Sequence, residues 1–596
     1  MNGRRRVPWG EIARLAALAL AVILPRVLFL DADPPGNLHI HFITDEGWWA
    51  HNARQQALFG HWIMDDHNPP LWSTPAYSFL LWLVYRVLGV GLYQTRLLSG
   101  LAGAVACFAV YGFVRREATP RIAFVSALVL AAGYFLLSNN RVAFTESVQL
   151  AFAVVAVLAA LRSRASPGWA MVSAAGLLLA LMCKLSAIPV GLVIAALYGA
   201  LLLESRGRPV ERAVRWRAAL VFVASATVGA AALAFFFLIP HWQAIVSEFL
   251  SDTLVATNPD LPTGGGIRPF LWYGFREEPG GPSVMSGFFA QEVALVVSVA
   301  LLAVSRLLGR GRRPAGNLER CCWWWIGITL AFLAVQTYHP DRRYLLLVPP
   351  LAMLLGLAAG GADAGRRPEA GPAPRLPAWR WLAAWAVVGF VAGLYLRPWV
   401  LPVLAGATAR LGIGAEEGLS QKALLLLVWA GSFLLAAAAL LVWGRWGALR
   451  RGAIPGALLL GAVLTEDVAR DVAYWSHLRF SIRDVSREIG WLAAVLPPDR
   501  RSVVGNTSDT LALETGLFSF VIRDWDFARM YMNLDGFRRF RPGLALVTER
   551  AGSPVGGDEG FTVAGMRRVR VFDYWPDASG RPRLRTTVYL PDITAR

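Results

Sequence analysis

The stretch Leu92–Arg116, LYQTRLLSGLAGAVACFAVYGFVRR, is apolar over most of its length and closes on two adjacent arginines. About 20 mostly apolar residues cross a bilayer as one helix, and Arg/Lys in short loops marks the cytoplasmic side. Residues 92–114 therefore read as a membrane span that ends in the cytoplasm. The pattern recurs outward from it in both directions. Candidate spans lie at 12–30, 121–138, 147–161, 168–184, 186–203, 218–239, 286–306, 322–337, 344–361, 380–396, 422–443 and 453–468, which makes thirteen with 92–114. Put the N-terminus in the cytoplasm, and Arg115-Arg116, Arg162/Arg164, Arg206 to Arg217, Arg310 to Arg313, Arg366-Arg367 and Arg445 to Arg451 all fall on that side.

Composition agrees. The chain is 56% hydrophobic and only 16% charged, against about 25% charged for a soluble protein. A net charge of +18 could suggest nucleic acid. The arginines sit instead in short clusters between apolar runs, where they orient helices. Basic chemistry is almost all arginine, the lysines being Lys184 and Lys422. The cysteines Cys107, Cys183, Cys321 and Cys322 form no CxxC or Cys/His metal spacing and imply no disulfide framework. Arg4-Arg5-Arg6 and the apolar run to Leu30 are followed by no small-residue cleavage site, so they read as a retained signal-anchor helix.

This threading predicts a polytopic α-helical transmembrane domain over 1–470. Outside the cytoplasm it places segment 31–91, loop 240–285 and a small α/β domain over 471–596. Within 31–91, residues 46–58 and 75–90 suit helices lying in the interface plane. In the tail, strand-like runs occur at 502–504, 545–547, 569–572 and 587–590, with helix-like stretches at 484–496 and 526–539. There is no GxGxxG, P-loop or hydrolase elbow.

Polar residues gather on the extracytoplasmic face. Asp45-Glu46 follows the first span; such a pair can act as a general base, hold a divalent cation or grip a sugar hydroxyl, or simply start a helix. His67-Asn68 precedes Pro69-Pro70, and the histidine could ligate a metal or phosphate oxygen or be an ordinary interfacial residue. Arg141 and Glu146 stand at neighbouring helix ends, where charges need partners or water. Lys184 interrupts an apolar run and either snorkels or meets an anion. His339-Pro340-Asp341-Arg342-Arg343-Tyr344 puts two arginines on an outer turn, and an arginine fork suits phosphate.

In their order these motifs resemble the GT-C membrane glycosyltransferases, in the glycosyltransferase family 39-like branch of protein O-mannosyltransferases and lipid A aminoarabinose transferases. The matching pieces are Thr44-Asp45-Glu46-Gly47, Asn68-Pro69-Pro70-Leu71, Thr95-Arg96-Leu97-Leu98, Arg141-Val142-Ala143 with Glu146, Lys184, and 339–344 followed by Pro349-Pro350. The resemblance covers roughly residues 12–360. It implies a polyprenyl-phosphate-linked sugar donor and an acceptor met at the outer leaflet of the cell membrane. Asp45 would be the catalytic acid/base, assisted by Glu46. Lys184, Arg342, Arg343, Tyr344 and Arg141 would hold the donor phosphate. His67, Asn68, Arg96, Glu146 and His339 would bind substrate, and Asp45, Glu46 and His67 could hold Mg2+ or Mn2+. The aminoarabinose transferases have Glu-Lys where this chain has His67-Asn68, so their lipid A specificity does not carry over.

The expected activity is inverting sugar transfer to a lipid, glycan or protein hydroxyl. The rivals are a lipid-linked-anion transporter or flippase, whose charges belong near the midplane, and an O-antigen-type ligase or polymerase.

Overall fold

The computed structural model describes residues 9–33, 42–62, 70–246, 288–307, 316–335, 341–360, 379–389, 391–392, 430–435, 456–476, 478–505, 507–521, 542–550, 566–576 and 582–591. Its longer helices are α1 (Trp9–Val27), α2 (Phe42–Phe59), α3 (Pro75–Leu88), α4 (Leu92–Glu117), α5 (Pro120–Ala132), α6 (Tyr134–Asn140) and α7 (Thr145–Arg162). They continue with α8 (Gly168–Cys183), α9 (Ile188–Glu204), α10 (Pro209–Leu233), α11 (Val293–Leu307), α12 (Asn317–Val335), α13 (Val348–Gly360), α14 (Gly456–Ser476) and α15 (Ser481–Ala494).

Among the described residues, six helices are long and apolar enough to cross a membrane: Leu92–Glu117, Thr145–Arg162, Leu185–Glu204, Pro209–Leu238, Asn317–Val335 and Arg342–Gly360. The pair α5 and α6, bent by 59° at Gly133, adds a seventh if it is one broken span. The expected thirteen are not reached on this measure. Helices α8 and α11 are apolar but shorter; the span expected at 380–396 is helical over its described residues 380–389 and 391–392, and that at 422–443 lies largely outside the described residues.

Small residues let the helices approach. A Cβ at Gly100 would meet the Arg26 carbonyl, and one at Gly356 would meet Ser126 on α5. Such small-residue faces replace the hydrophobic drive that lipid does not supply. Helix α7 is the hub, with 83% of its apolar window buried, whereas none of the Pro209–Leu238 window is. A uniformly apolar helix fits both settings, so only packing tells the centre from the lipid-facing rim.

Helix α2 departs from expectation. A helix in the interface plane should keep its polar side in water. Here His51, Asn52, Arg54 and Gln55 are all buried. Arg54 and Gln55 on this side pack against a C-terminal region made of the short helix α16 (Ser508–Leu511) and a mixed sheet of β1 (Ser502–Gly505), β2 (Phe518–Val521), β3 (Leu544–Arg550), β4 (Met566–Pro576) and β5 (Pro582–Pro591), while Asn52 bonds to Trp62 and Leu71. Strand order is β2-β1-β3-β5-β4. Strand β1 runs parallel to β2 and β3, while β5 is antiparallel to β3 and β4. Strand β2 was not among the expected strands, and the helix expected at 526–539 lies outside the described residues.

Arg54 joins the two parts. Its guanidinium donates to the carbonyls of Ala512 (3.1 Å), Leu513 (3.3 Å), Thr515 (2.7 Å) and Leu517 (2.7 Å) and to Ser519 Oγ (3.2 Å). Burial pulls its pKa down to about 10, still a cation at neutral pH. Asp33 adds a second tie by accepting from the Ser481 and Ile482 N–H groups at the start of α15 (3.0 and 3.2 Å), donors a helix leaves unsatisfied.

Candidate active site

The first turn of α2 carries two acids with opposite fates. Glu46 is fully buried and forms a two-pronged pair with Arg96 on α4, Nε to Oε1 at 2.8 Å and Nη2 to Oε2 at 2.7 Å. Its Oε1 also accepts from the Ala143 N–H at 2.8 Å. Arg96 spends its remaining donor on the carbonyls of Leu30 (2.8 Å) and Ala32 (2.7 Å). Both side chains are thus consumed in a clamp between α2, α4 and the turn before α7. Glu46, expected to assist catalysis or bind metal, and Arg96, expected to contact substrate, are placed against each other inside the helices.

Asp45, one residue earlier, points the other way. Its Oδ2 is 2.6 Å from Arg342 Nη1, and its side chain is 22% exposed. Successive helical residues project about 100° apart, which is why one acid is sealed in and its neighbour is reachable.

Arg342 lies on the 3-10 stretch Asp341–Leu347 that leads into α13. Its Nε donates to Glu146 Oε1 at 2.8 Å. The same oxygen accepts from Lys184 Nζ at 2.7 Å. Glu146 is 1% exposed, while Arg342 and Lys184 keep 12% and 17%. The acid is therefore the buried anchor, and the cations form the accessible edge. Lys184 follows the last residue of α8, where Gln149 Nε2 donates to its carbonyl at 2.8 Å. Two rings hold the cations in place: Trp49 lies 4.8 Å from Lys184 Nζ, and Phe144 lies 5.0 Å from Arg342 Cζ. Arg343 is within electrostatic reach of Lys184. Tyr344 is buried and stacks on Phe288 at 5.9 Å, so it supports the turn rather than facing the opening.

Arg141, expected at the donor phosphate, is likewise engaged inside the protein. Its Nε donates to Tyr474 Oη (2.8 Å), Nη1 to the carbonyls of Pro25 and Leu28, and Nη2 to the Phe29 carbonyl (2.7 Å). Every nitrogen is engaged in joining α1 to α14, which leaves no fork for a phosphate. His67, Asn68 and His339 lie outside the described residues. Among the described residues no group of three or more His, Cys, Asp or Glu is arranged to hold a metal. Glu46 is locked to Arg96 and Asp45 is paired to Arg342, so both acids already have a cationic partner.

The structure also brings in residues that the sequence did not mark. Gly47 N donates to Thr510 Oγ1 at 2.9 Å, which seats α16 against the start of α2. Asp509 arrives with it, buried and close enough to feel the Asp45 charge. More than 450 residues separate these partners, so no local pattern could have paired them.

Residues 69–242 match the family model of dolichyl-phosphate-mannose-protein mannosyltransferase. Among curated proteins, none matches the chain by sequence. Among solved structures, ArnT from Cupriavidus metallidurans bound to undecaprenyl phosphate has a TM-score of 0.51 at 15% identity, covering 98% of both chains. The apo form of that protein gives 0.50 at 16% identity, again over 98% of each chain. The archaeal oligosaccharyltransferase AglB from Archaeoglobus fulgidus scores 0.43 at 12% identity, over 90% of this chain and 69% of its own. With the apolar helices and the fold taken together, the chain is a multi-pass membrane protein that shares its fold with ArnT, and its residues 69–242 match the mannosyltransferase family model.

Proposed function

We propose that the chain transfers a sugar, with inversion, from a polyprenyl-phosphate-linked donor to a hydroxyl acceptor at the outer face of the cell membrane. One observation carries this reading: Glu146 Oε1 gathers Lys184 Nζ and Arg342 Nε, while the other end of Arg342 holds Asp45. A proton acceptor and two cations thereby share one network at the exposed edge of the helices. That the fold neighbour is described bound to undecaprenyl phosphate supports a donor of this class.

In the reaction the acceptor hydroxyl gives its proton to the Asp45 carboxylate as its oxygen bonds to the anomeric carbon. The anomeric carbon–oxygen bond to phosphate breaks, and its electron pair leaves on the phosphate. Lys184 and Arg342 neutralise the charge that develops there, commonly the largest single contribution to such catalysis. The transition state has oxocarbenium character. Glu146 keeps the two cations together in the resting state, where their mutual repulsion would otherwise part them.

Mass spectrometry of envelope lipids, glycans and proteins from cells with and without the gene tests this. A glycoconjugate should vanish on deletion, return with the wild-type chain, and stay absent with Asp45→Asn. Full restoration by Asp45→Asn would overturn the assignment. A flippase would instead leave sugar transfer intact in membranes opened to both faces.

A further inference from the structure

A second carboxyl stands behind Asp45, contributed by the C-terminal sheet. Asp509 is 1% exposed. Its Oδ1 accepts from the Thr510 N–H at 2.9 Å, while its Oδ2 is buried with no hydrogen-bond partner. A buried carboxylate oxygen left unpaired is costly. Its place is fixed: α16 is seated on α2 through Gly47 and Thr510, where a Cβ on Gly47 would strike the Thr510 nitrogen and the Asp509 carbonyl carbon. The charged groups facing it are Asp45 and Arg54, both from α2. The neighbouring α15 and β2 present Ser486, bonded to the Leu511 carbonyl, and Ser519, bonded to Arg54.

We propose that Asp509 is a positioning residue of the reaction centre, whose carboxyl is the silent partner of Asp45 and ties the C-terminal sheet to the chemistry. This rests on the transferase reading above.

Two neighbouring carboxyls do not both ionise cheaply, and their surroundings decide which one carries the charge. Asp45 is partly exposed and paired to Arg342. Asp509 is buried, and the Arg54 fork is committed to carbonyls and Ser519. Burial first, with the Asp45 charge adding, pushes its pKa well above the usual carboxylate range. The charge therefore rests on Asp45, the form a proton acceptor needs, and Asp509 keeps its proton throughout the transfer. Ionisation of Asp509 would bring a second negative charge to the rim where an anionic donor must dock, and would compete for Arg342.

The test uses the full-length protein added to membranes from cells lacking the gene, which retain the unused donor and acceptor, with product read by mass spectrometry across pH. The wild type should lose rate as Asp509 ionises on the alkaline side. Asp509→Asn cannot ionise, so its rate relative to wild type should rise by about threefold or more from neutral to alkaline pH, with the acid limb unmoved. Asp509→Ala should show the same alkaline shape at lower rate. Thermal shift with undecaprenyl phosphate verifies that both variants fold and bind as wild type does. A variant curve parallel to wild type at every pH, or loss of undecaprenyl phosphate binding with activity, overturns the role for Asp509. Absence of product with wild-type protein overturns the transferase reading itself.

Discussion

Arg342 touches Asp45 with Nη1 at 2.6 Å and Glu146 with Nε at 2.8 Å, so one guanidinium spans the two acids at the rim of the helices. Arg342→Lys keeps a charge but not the fork, and it cannot reach both acids at once. Transfer should fall about 10²–10³-fold in Arg342→Ala and less in Arg342→Lys, as for loss of one preorganised transition-state contact. Equal activity in all three proteins, assayed in membranes at matched expression, would remove Arg342 from the mechanism.

Lys184 tests the phosphate side separately. Lys184→Ala should weaken undecaprenyl phosphate binding by about tenfold or more, since a charge-assisted contact is worth roughly 1.5 kcal/mol or above. Titration of the purified protein in nanodiscs reads this directly. Unchanged affinity would leave Lys184 as a partner of Glu146 alone.

The adjacent acids should separate cleanly. Glu46→Gln strands a buried Arg96 and should cost about 3–5 kcal/mol of stability, as broken buried pairs do. Asp45→Asn removes a partly exposed carboxylate, so melting should stay near wild type while transfer is abolished. The reverse pattern, a stable inactive Glu46→Gln and an unfolded Asp45→Asn, would invert the roles assigned above.

Stability should carry the signature of Asp509. Its folded pKa lies above its unfolded value of about 4, so folding takes up a proton. The stabilisation is complete below about pH 4 and is lost as pH climbs towards the folded value. The melting temperature of wild type relative to Asp509→Asn should therefore decline from acid to neutral pH. A difference independent of pH would mean that Asp509 is ionised in the folded chain.

Arg54→Met should detach the 512–519 turn from α2. It leaves the carbonyls of Ala512, Leu513, Thr515 and Leu517 without their donor, at a cost on the order of 3 kcal/mol. Limited proteolysis should then cut the C-terminal region while the helices persist. A cleavage pattern like that of wild type would show that other contacts hold the sheet.

The amino-acid sequence by itself determined that the chain is a membrane protein. Long apolar runs closed by arginines have few other solutions, and the ordered motifs around Asp45, Lys184 and Arg342 pointed to the GT-C type. Those residues could be found because each interrupts an apolar or turn pattern at a helix end. Tertiary structure alone decided which charges are available. Glu46, Arg96 and Arg141 read in the sequence as reactive groups, but their partners lie 50 to 333 residues away and consume their hydrogen bonds. Helix α2 looked like a surface helix because its polar face gave no hint that the C-terminal sheet covers it. Asp509 drew no attention, since a lone aspartate in a polar stretch is ordinary until the fold buries it behind Asp45. Hydropathy is a local property and survives in a linear reading; charge neutralisation depends on which side chains meet, and that is set only by packing.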